Sequence, residues 1–184
     1  MGLSIVRARL CSEAHQTALR RFVCCDGGPE WAMDAQRYIR GLNIRRHADD
    51  SEIMLIVVEG ATAYADTVLG FCEYGVASET ADDEPGFYQI SYIATALESR
   101  GKPLGDLLLA AVLNRLRDDA FRTGRTPFVL TQIDPRNKPS IALFRRFGFS
   151  DEGEDSEDPA YHFWSLEFTP ESSGEHIVSS LVWL

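Results

Sequence analysis

The sequence predicts an α/β domain with a central mixed, mostly antiparallel sheet. Two apolar, β-branched runs, Glu52 to Glu59 and Thr67 to Ser78, are separated by a loop and are typical of a hairpin. A third strand, Gly86 to Ala96, should pair beside them. Apolar residues at helical spacing from Leu104 to Phe121 then lead to a buried strand around Val129. A strand–helix–strand crossover of this kind places its two strands parallel.

Length and composition indicate one globular domain, residues 1–184. The chain has 184 residues, 45% hydrophobic and 25% charged. The longest apolar run, Leu107 to Leu113, is far shorter than the roughly 20 residues that a membrane helix needs. The first ten residues alternate and carry Arg7 and Arg9, which suits a strand rather than a signal peptide. We therefore expect a cytoplasmic protein that does not bind a membrane.

Cysteines and histidines predict no metal site and no catalytic pair. The cysteines are Cys11, Cys24, Cys25 and Cys72, and the histidines are His15, His47, His162 and His176. No CxxC spacing and no cysteine–histidine spacing suited to a metal occurs. The scattered histidines lack an acid at a catalytic spacing, so we expect reduced thiols and structural histidines.

The net charge of −10 argues against nucleic acid as the main partner. Acidic residues concentrate in Asp151 to Asp158 and around Asp82 to Glu84, whereas phosphate binding requires a basic field. An acidic surface can steer a cationic acceptor such as an amine. The simpler alternative is that these charges only keep the surface solvated.

Two helices are predicted in the first third of the chain. One runs from Ser12 to Arg21 with Ser12 as its cap, and a longer one begins at Gly28-Pro29-Glu30.

The turn Arg100 to Gly105, RGKPLG, joins the third strand to the long helix. Free backbone N–H groups at a helix N-terminus bind anions favourably, and phosphate is a suitable ligand. The pattern is neither the P-loop GxxxxGK[ST] nor the dinucleotide GxGxxG. The sequence of this turn alone is compatible with two interpretations, an anion-binding site or a simple connection that needs glycine for close packing.

A second motif lies one strand downstream. A buried strand, Phe128 to Ile133, is followed by the loop Asp134 to Asn137 and a short helix, Lys138 to Phe147, with a new strand from Phe149. The string NKPSIALFRRFGF resembles the NxxAxxLYxxxGF segment of the GNAT superfamily of N-acetyltransferases, and RGKPLG resembles that family's RGxGxG turn. The resemblance covers roughly Leu3 to Phe168, with 169–184 as a tail that adds a strand or contacts a partner.

The resemblance implies a GNAT fold: six or seven strands, splayed between the fourth and fifth, flanked by about four helices. It implies that acetyl-CoA is the cosubstrate and lies where the strands part, which we expect near Thr95. The implied diphosphate cradle is Arg100, Gly101, Lys102, Leu104 and Gly105. The implied contacts with the pantetheine arm and thioester are the backbone of Ile93, Ala94 and Thr95, the side chain of Asn137 and the ring of Phe144. A backbone N–H of the 93–95 segment would stabilise the oxyanion.

Two departures from the family pattern concern binding and the general acid. Pro103 replaces the middle glycine of the turn and has no N–H to donate, a loss of about 1.5 to 3 kcal/mol if that bond would have formed. Phe144 replaces the tyrosine that the family uses as an acid for the leaving thiolate. Tyr92, Ser140 or a water could substitute, and a thiolate of pKa near ~8.5 can leave unaided.

The general base is also changed. Gln89 stands where histone-modifying relatives have a glutamate, and glutamine cannot accept the proton. Glu73 on the preceding strand is the candidate base, with a solvent-facing strand carboxylate as the alternative. The implied mechanism is direct attack in a ternary complex, without an acyl-cysteine.

The predicted function is acetyl transfer to a primary amine of a small molecule or peptide. Two alternatives stay open. One is a CoA-binding module with weak or lost catalysis, as Pro103, Phe144 and Gln89 would suggest. The other is a toxin acting on aminoacyl-tRNA, because the segment FVCCDGGPEWAMDAQRYIRG is faintly similar to such acetyltransferases. The resemblance also implies a homodimer through strand edges or the tail as one option.

Overall fold

A seven-stranded mixed sheet with four helices forms the centre of the computed structural model, which describes residues 5–47, 51–59, 67–77 and 86–168. The strands are β1 (Ile5–Leu10), β2 (Ser51–Glu59), β3 (Thr67–Ala77), β4 (Phe87–Thr95), β5 (Phe128–Ile133), β6 (Ser150–Glu154) and β7 (His162–Glu167). Their order is β1-β2-β3-β4-β5-β7-β6. Only β4 and β5 pair in parallel among these strands, and the predicted fold class is confirmed.

The helices follow the predicted order. They are α1 (Gln16–Arg20), α2 (Glu30–Gly41), α3 (Leu104–Thr123) and α4 (Lys138–Arg146). The predicted helix from Ser12 to Arg21 is present with Ser12 as its N-cap, but its first turn is 3₁₀, because the His15 N–H bonds to the Ser12 carbonyl at 2.9 Å before α1 begins. No helix in the described ranges is long and apolar enough to cross a membrane. The predicted tail, 169–184, and the acidic segment around Asp82 to Glu84 lie outside the described residues.

The core lies between α3 and the sheet. Leu104, Leu108 and Val112, at helical spacing, are fully buried on the side of α3 that packs against β2, β3 and β4. Glycine at position 70 on β3 permits this approach, because a Cβ there would lie 3.1 Å from Ile56 and 3.3 Å from Leu108. The helix N-terminus is thereby held at the end of β4.

β4 and β5 part early. They pair at only three positions, of which Ile90 with Thr131 is the last, where the Thr131 hydroxyl donates to the Ile90 carbonyl at 2.9 Å. On the other side of β4, Glu73 pairs with Tyr92 and Tyr74 with Ile90, so Ser91 is an extra residue in the ladder. Such a bulge bends its strand. The expectation that the strands part near Thr95 is therefore wrong, and the gap begins just after Ile90.

The lowered pKa values of three hydrogen-bonded carboxylates allow us to predict how the free energy of unfolding depends on pH. The Tyr88 hydroxyl donates to Asp119 at 2.7 Å and is the main reason that the pKa of Asp119 is lowered. Hydrogen bonds from Arg136 and Arg115 likewise lower the pKa values of Asp134 and Glu52.

In the unfolded chain these carboxyls take up protons near pH ~4, whereas in the folded protein they do so only at lower pH. The unfolded state therefore binds more protons there, and the free energy of unfolding should fall as pH decreases from about 4 through the lowered pKa values. Urea denaturation at a series of pH values measures this slope. Tyr88→Phe should make it shallower, whereas a stability that is flat down to pH 3 would contradict the expectation.

Candidate active site

A cleft of about 1330 Å³ opens where β4 and β5 part. Its volume suits a large ligand together with an acceptor. The predicted site residues that line it are Glu73, Tyr92, Ile93, Ala94, Thr95, Arg100, Lys102, Gly105, Asn137, Ser140 and Phe144. Gly101 is not among the lining residues, and the Leu104 side chain is fully buried in the core. Only the Leu104 backbone can therefore face a ligand.

One end of the cleft presents backbone amides. The Leu107 N–H bonds to the Pro103 carbonyl at 3.1 Å, and the amides of residues 104–106 precede this first bond of α3. The N–H groups of Arg100 and Lys102 close the turn on the carbonyls of Leu97 and Ser99, at 3.2 and 3.1 Å. Arg100 and Lys102 can therefore contribute only their side chains to an anion. Gly101 has φ +80°, which favours glycine.

The wall of the cleft is an open strand edge. β4 pairs with β3 up to Thr95 but with β5 only up to Ile90, so among the described residues the edge from Ser91 to Thr95 has no strand partner. Its N–H and C=O groups can receive an extended chain in the manner of strand addition. Opposite it, the Asn137 side chain accepts the Ser140 N–H at 3.3 Å and caps α4. The Asn137 amide hydrogens are not used in this cap.

The ring of Phe144 closes the inner wall. It is 1% exposed and packs edge-on against Phe149, with ring centroids 4.9 Å apart. Ser140, the second candidate acid, lies in the first turn of α4.

The other end of the cleft holds a buried carboxylate. Glu73 is 7% exposed, and its Oε1 lies 3.1 Å from His47 Nε2. The alternative that Glu73 faces solvent is therefore wrong, and so is the expectation that no histidine pairs with an acid. Glu73 Oε2 is buried and, among the described residues, makes no hydrogen bond of good geometry, although the Tyr38 hydroxyl lies close enough to interact with this carboxylate. An unpaired buried carboxylate oxygen is costly, and a ligand N–H would satisfy it.

Two stacked tyrosines stand beside this carboxylate. The rings of Tyr38 on α2 and Tyr92 on β4 lie 4.0 Å apart at 13°. Burial first, and then the Glu73 carboxylate, raise the pKa of both hydroxyls. Tyr92, a predicted acid, therefore keeps its proton at neutral pH and is a weak proton donor.

A contact that the sequence did not predict spans the acceptor end. The Arg136 guanidinium, held by Asp134 at 2.6 Å, lies 5.5 Å from the centroid of the Trp31 ring. This links the loop after β5 to α2. Trp31 and Asp134 line the cleft. Because Trp31 and Arg136 are far apart in the sequence, only the folded structure reveals their contact.

Comparison with known proteins agrees with this architecture. The model of the acetyltransferase (GNAT) family matches residues 16–149. The structure of AtaTR bound with AcCoA is 15% identical and covers 86% of this chain and 92% of its own, with a TM-score of 0.65. A Desulfovibrio desulfuricans protein described as an acetyltransferase of the GNAT family is 22% identical, covers 88% and 98%, and has a TM-score of 0.62. The KacTA–DNA complex is 14% identical, covers 87% and 92%, and has a TM-score of 0.61.

These identities show a shared fold, and no curated protein sequence matches the chain. GNAT enzymes use acetyl-CoA, and the open β4 edge and α3 amides are suited to it. The family model spans well over half of the sequence, and the parted strands have the geometry that the family requires. The chain therefore belongs to the acetyltransferase (GNAT) family.

Proposed function

We propose that this protein transfers the acetyl group of acetyl-CoA to a primary amine of a small molecule or peptide, by direct attack in a ternary complex. The observation that carries the proposal is a single cleft with a buried carboxylate, Glu73, at one end and the helix amides of α3 at the other. A carboxylate oxygen without a partner suits the N–H groups of an amine.

Each wall of the cleft has a proposed role. The side chains of Arg100 and Lys102 and the amides of Leu104 and Gly105 bind the diphosphate. The open β4 edge pairs with the pantetheine arm, and one of its N–H groups stabilises the oxyanion, worth about 3 kcal/mol in comparable sites. Asn137 donates to the arm from the other side.

Two thiols near the reaction site, Cys24 and Cys72, are poor nucleophiles. Burial raises the pKa of Cys24, which lines the cleft, to about 11. Burial also raises the pKa of Cys72, which is fully enclosed. Because the thiolate is the reactive form, these pKa values favour direct transfer over an acyl intermediate on Cys24 or Cys72.

Acceptor-dependent thiol release tests the proposal. Purified protein and acetyl-CoA are incubated with a panel of polyamines, arylalkylamines and peptides, and the product is identified by mass spectrometry. We expect release that depends on one class of amine. Binding of CoA by calorimetry without acceptor-dependent thiol would instead establish the alternative, a CoA-binding module with lost catalysis.

A second function is acetylation of an aminoacyl-tRNA. It is favoured by the faint similarity of residues 22–41 to acetyltransferase toxins of that kind. The fold is shared with AtaT, a toxin solved with the C-terminus of the antitoxin AtaR, and this function would imply a protein partner of that kind. The net charge of −10 opposes it. Adding charged tRNA to the acceptor panel decides between amine acetylation and tRNA acetylation. We expect thiol to be released from acetyl-CoA in the presence of amines but not of charged tRNA.

Pro103→Ala should strengthen binding of CoA. The backbone at Pro103, φ −78° and ψ 35°, is accessible to alanine, and alanine restores an N–H at the turn. A charge-assisted bond of about 1.5 kcal/mol corresponds to a roughly tenfold lower Kd. Calorimetry with CoA measures the change, and pantetheine, which lacks the diphosphate, is the matched control. Equal strengthening of both ligands would contradict a bond to phosphate.

A further inference from the structure

We propose that His47, positioned by Glu73, is the group that takes the proton from the acceptor amine. This inference rests on the proposed function and adds the proton acceptor to it. His47, expected from the sequence to be a structural histidine, stands 26 residues from Glu73 in the chain. Both residues line the cleft.

The hydrogen bond between the two residues defines the tautomer. The His47 side chain is 13% exposed and that of Glu73 is 9% exposed, so water screens their contact weakly. Because an ionised carboxylate can only accept, Nε2 carries the hydrogen that bonds to Glu73 Oε1. Nδ1 of the neutral ring then holds the lone pair. A histidine oriented by a carboxylate in this way is equipped to accept a proton and to be stabilised as imidazolium.

Within residues 5–47, 51–59, 67–77 and 86–168, the elements around the pair contribute few competing charges. Ser51 on β2 lies 3.4 Å from Nε2 through its hydroxyl, and Arg46 precedes His47 in the chain. Among the described residues, the other titratable groups near the pair are the Tyr38 hydroxyl on α2, Tyr92 on β4 and the Cys72 thiol beside Glu73 on β3, while Asp34 on α2 acts on Tyr92. Asp34 is bonded to Arg37 at 2.7 Å. Elevated pKa values keep the tyrosines and the thiol neutral, so they do not compete for the amine's proton.

The proton balance assigns a separate role to each residue. The amine arrives as an ammonium, gives one proton to His47 Nδ1 and becomes nucleophilic. Its nitrogen then forms the C–N bond to the acetyl carbonyl while the C–S bond breaks. The second proton leaves the new amide nitrogen and ends on the departing thiolate or in water. His47 releases its proton to solvent, and Glu73 stays ionised throughout as the positioning residue.

A series of amines with one carbon skeleton and decreasing basicity tests this role. His47→Gln should lower kcat/KM by about 10²- to 10⁴-fold for the most basic amine. The least basic amine arrives neutral at the assay pH, so its loss should stay below about tenfold. A merely structural role for His47 would lower all members of the series equally, and that result would overturn the inference.

Two further variants complete the test. His162→Gln is the matched control, because His162 pairs with Asp151 at 3.0 Å and does not line the cleft; we expect wild-type rates. Glu73→Gln should show the same pattern as His47→Gln, a loss of kcat/KM that is larger for more basic amines.

If Glu73→Gln abolishes transfer while His47→Gln keeps wild-type rates, Glu73 itself is the base and the inference fails, although the proposed function stands. Calorimetric CoA affinity near that of wild type confirms that each variant is folded. Wild-type protein inactive towards every amine would overturn the proposed function as well.

Discussion

The substitution Gly105→Leu is expected to lower the affinity for CoA at least ~100-fold, about 2.7 kcal/mol, while the protein stays folded. Gly105 lies in the first turn of α3 and lines the cleft. A Cβ built there meets Leu143 Cδ2 at 3.5 Å, an ordinary contact. Alanine therefore fits, whereas the longer leucine side chain must extend into the space in front of the helix amides, where the diphosphate would lie.

Calorimetry with CoA and thermal unfolding measure the two effects separately. Leucine is a better helix former than glycine, so the melting temperature should not fall by more than a few degrees. Gly105→Ala is the control, with a loss of affinity below about tenfold because its methyl group makes only an ordinary contact. Wild-type affinity in Gly105→Leu would mean that CoA does not occupy this end of the cleft.

The substitution Trp164→Ala is expected to cost about 3 to 5 kcal/mol of stability. Trp164 on β7 is 1% exposed and pairs with Thr131 on β5 and Asp151 on β6. The Arg145 guanidinium of α4 lies 5.2 Å from the centroid of its ring. The ring is thus buried against α4 on a strand paired on both sides, and its removal leaves a large cavity.

Thermal unfolding should show a fall in melting temperature of about 6 to 20 °C for this chain length. Trp164→Phe is the control. Among the described residues the buried Nε1–H has no acceptor, and phenylalanine removes this costly group while it loses some volume. The two changes oppose each other, so we expect Trp164→Phe to stay within about 1.5 kcal/mol of wild type. Equal destabilisation by both variants would contradict this account.

The elements and the cofactor end of the site could be predicted from sequence because their signals are local. Alternating and helical periodicities place β2, β3, β4 and α3 within a few residues. The turn 100–105 and the cap Asn137 are each encoded by consecutive residues. Their positions along the chain therefore define the two sides of the cleft.

The acceptor end could not be predicted in this way. His47 and Glu73, Tyr38 and Tyr92, and Trp31 and Arg136 are pairs separated by tens of residues. Nothing in the periodicity of either partner encodes the contact. The point at which the strands part was misplaced for a related reason, since the bulge at Ser91 depends on how β4 pairs with β3.

The sequence by itself determined the order of strands and helices, the family and the turn that faces the cofactor, because these depend on neighbouring residues. Only the tertiary structure decided that Glu73 is buried and paired with His47, and where β4 leaves β5. The burial of Glu73 and its proximity to His47 arise when β2, β3, β4 and α2 pack together. Contacts between segments so far apart in the chain are not encoded in the sequence pattern of either segment.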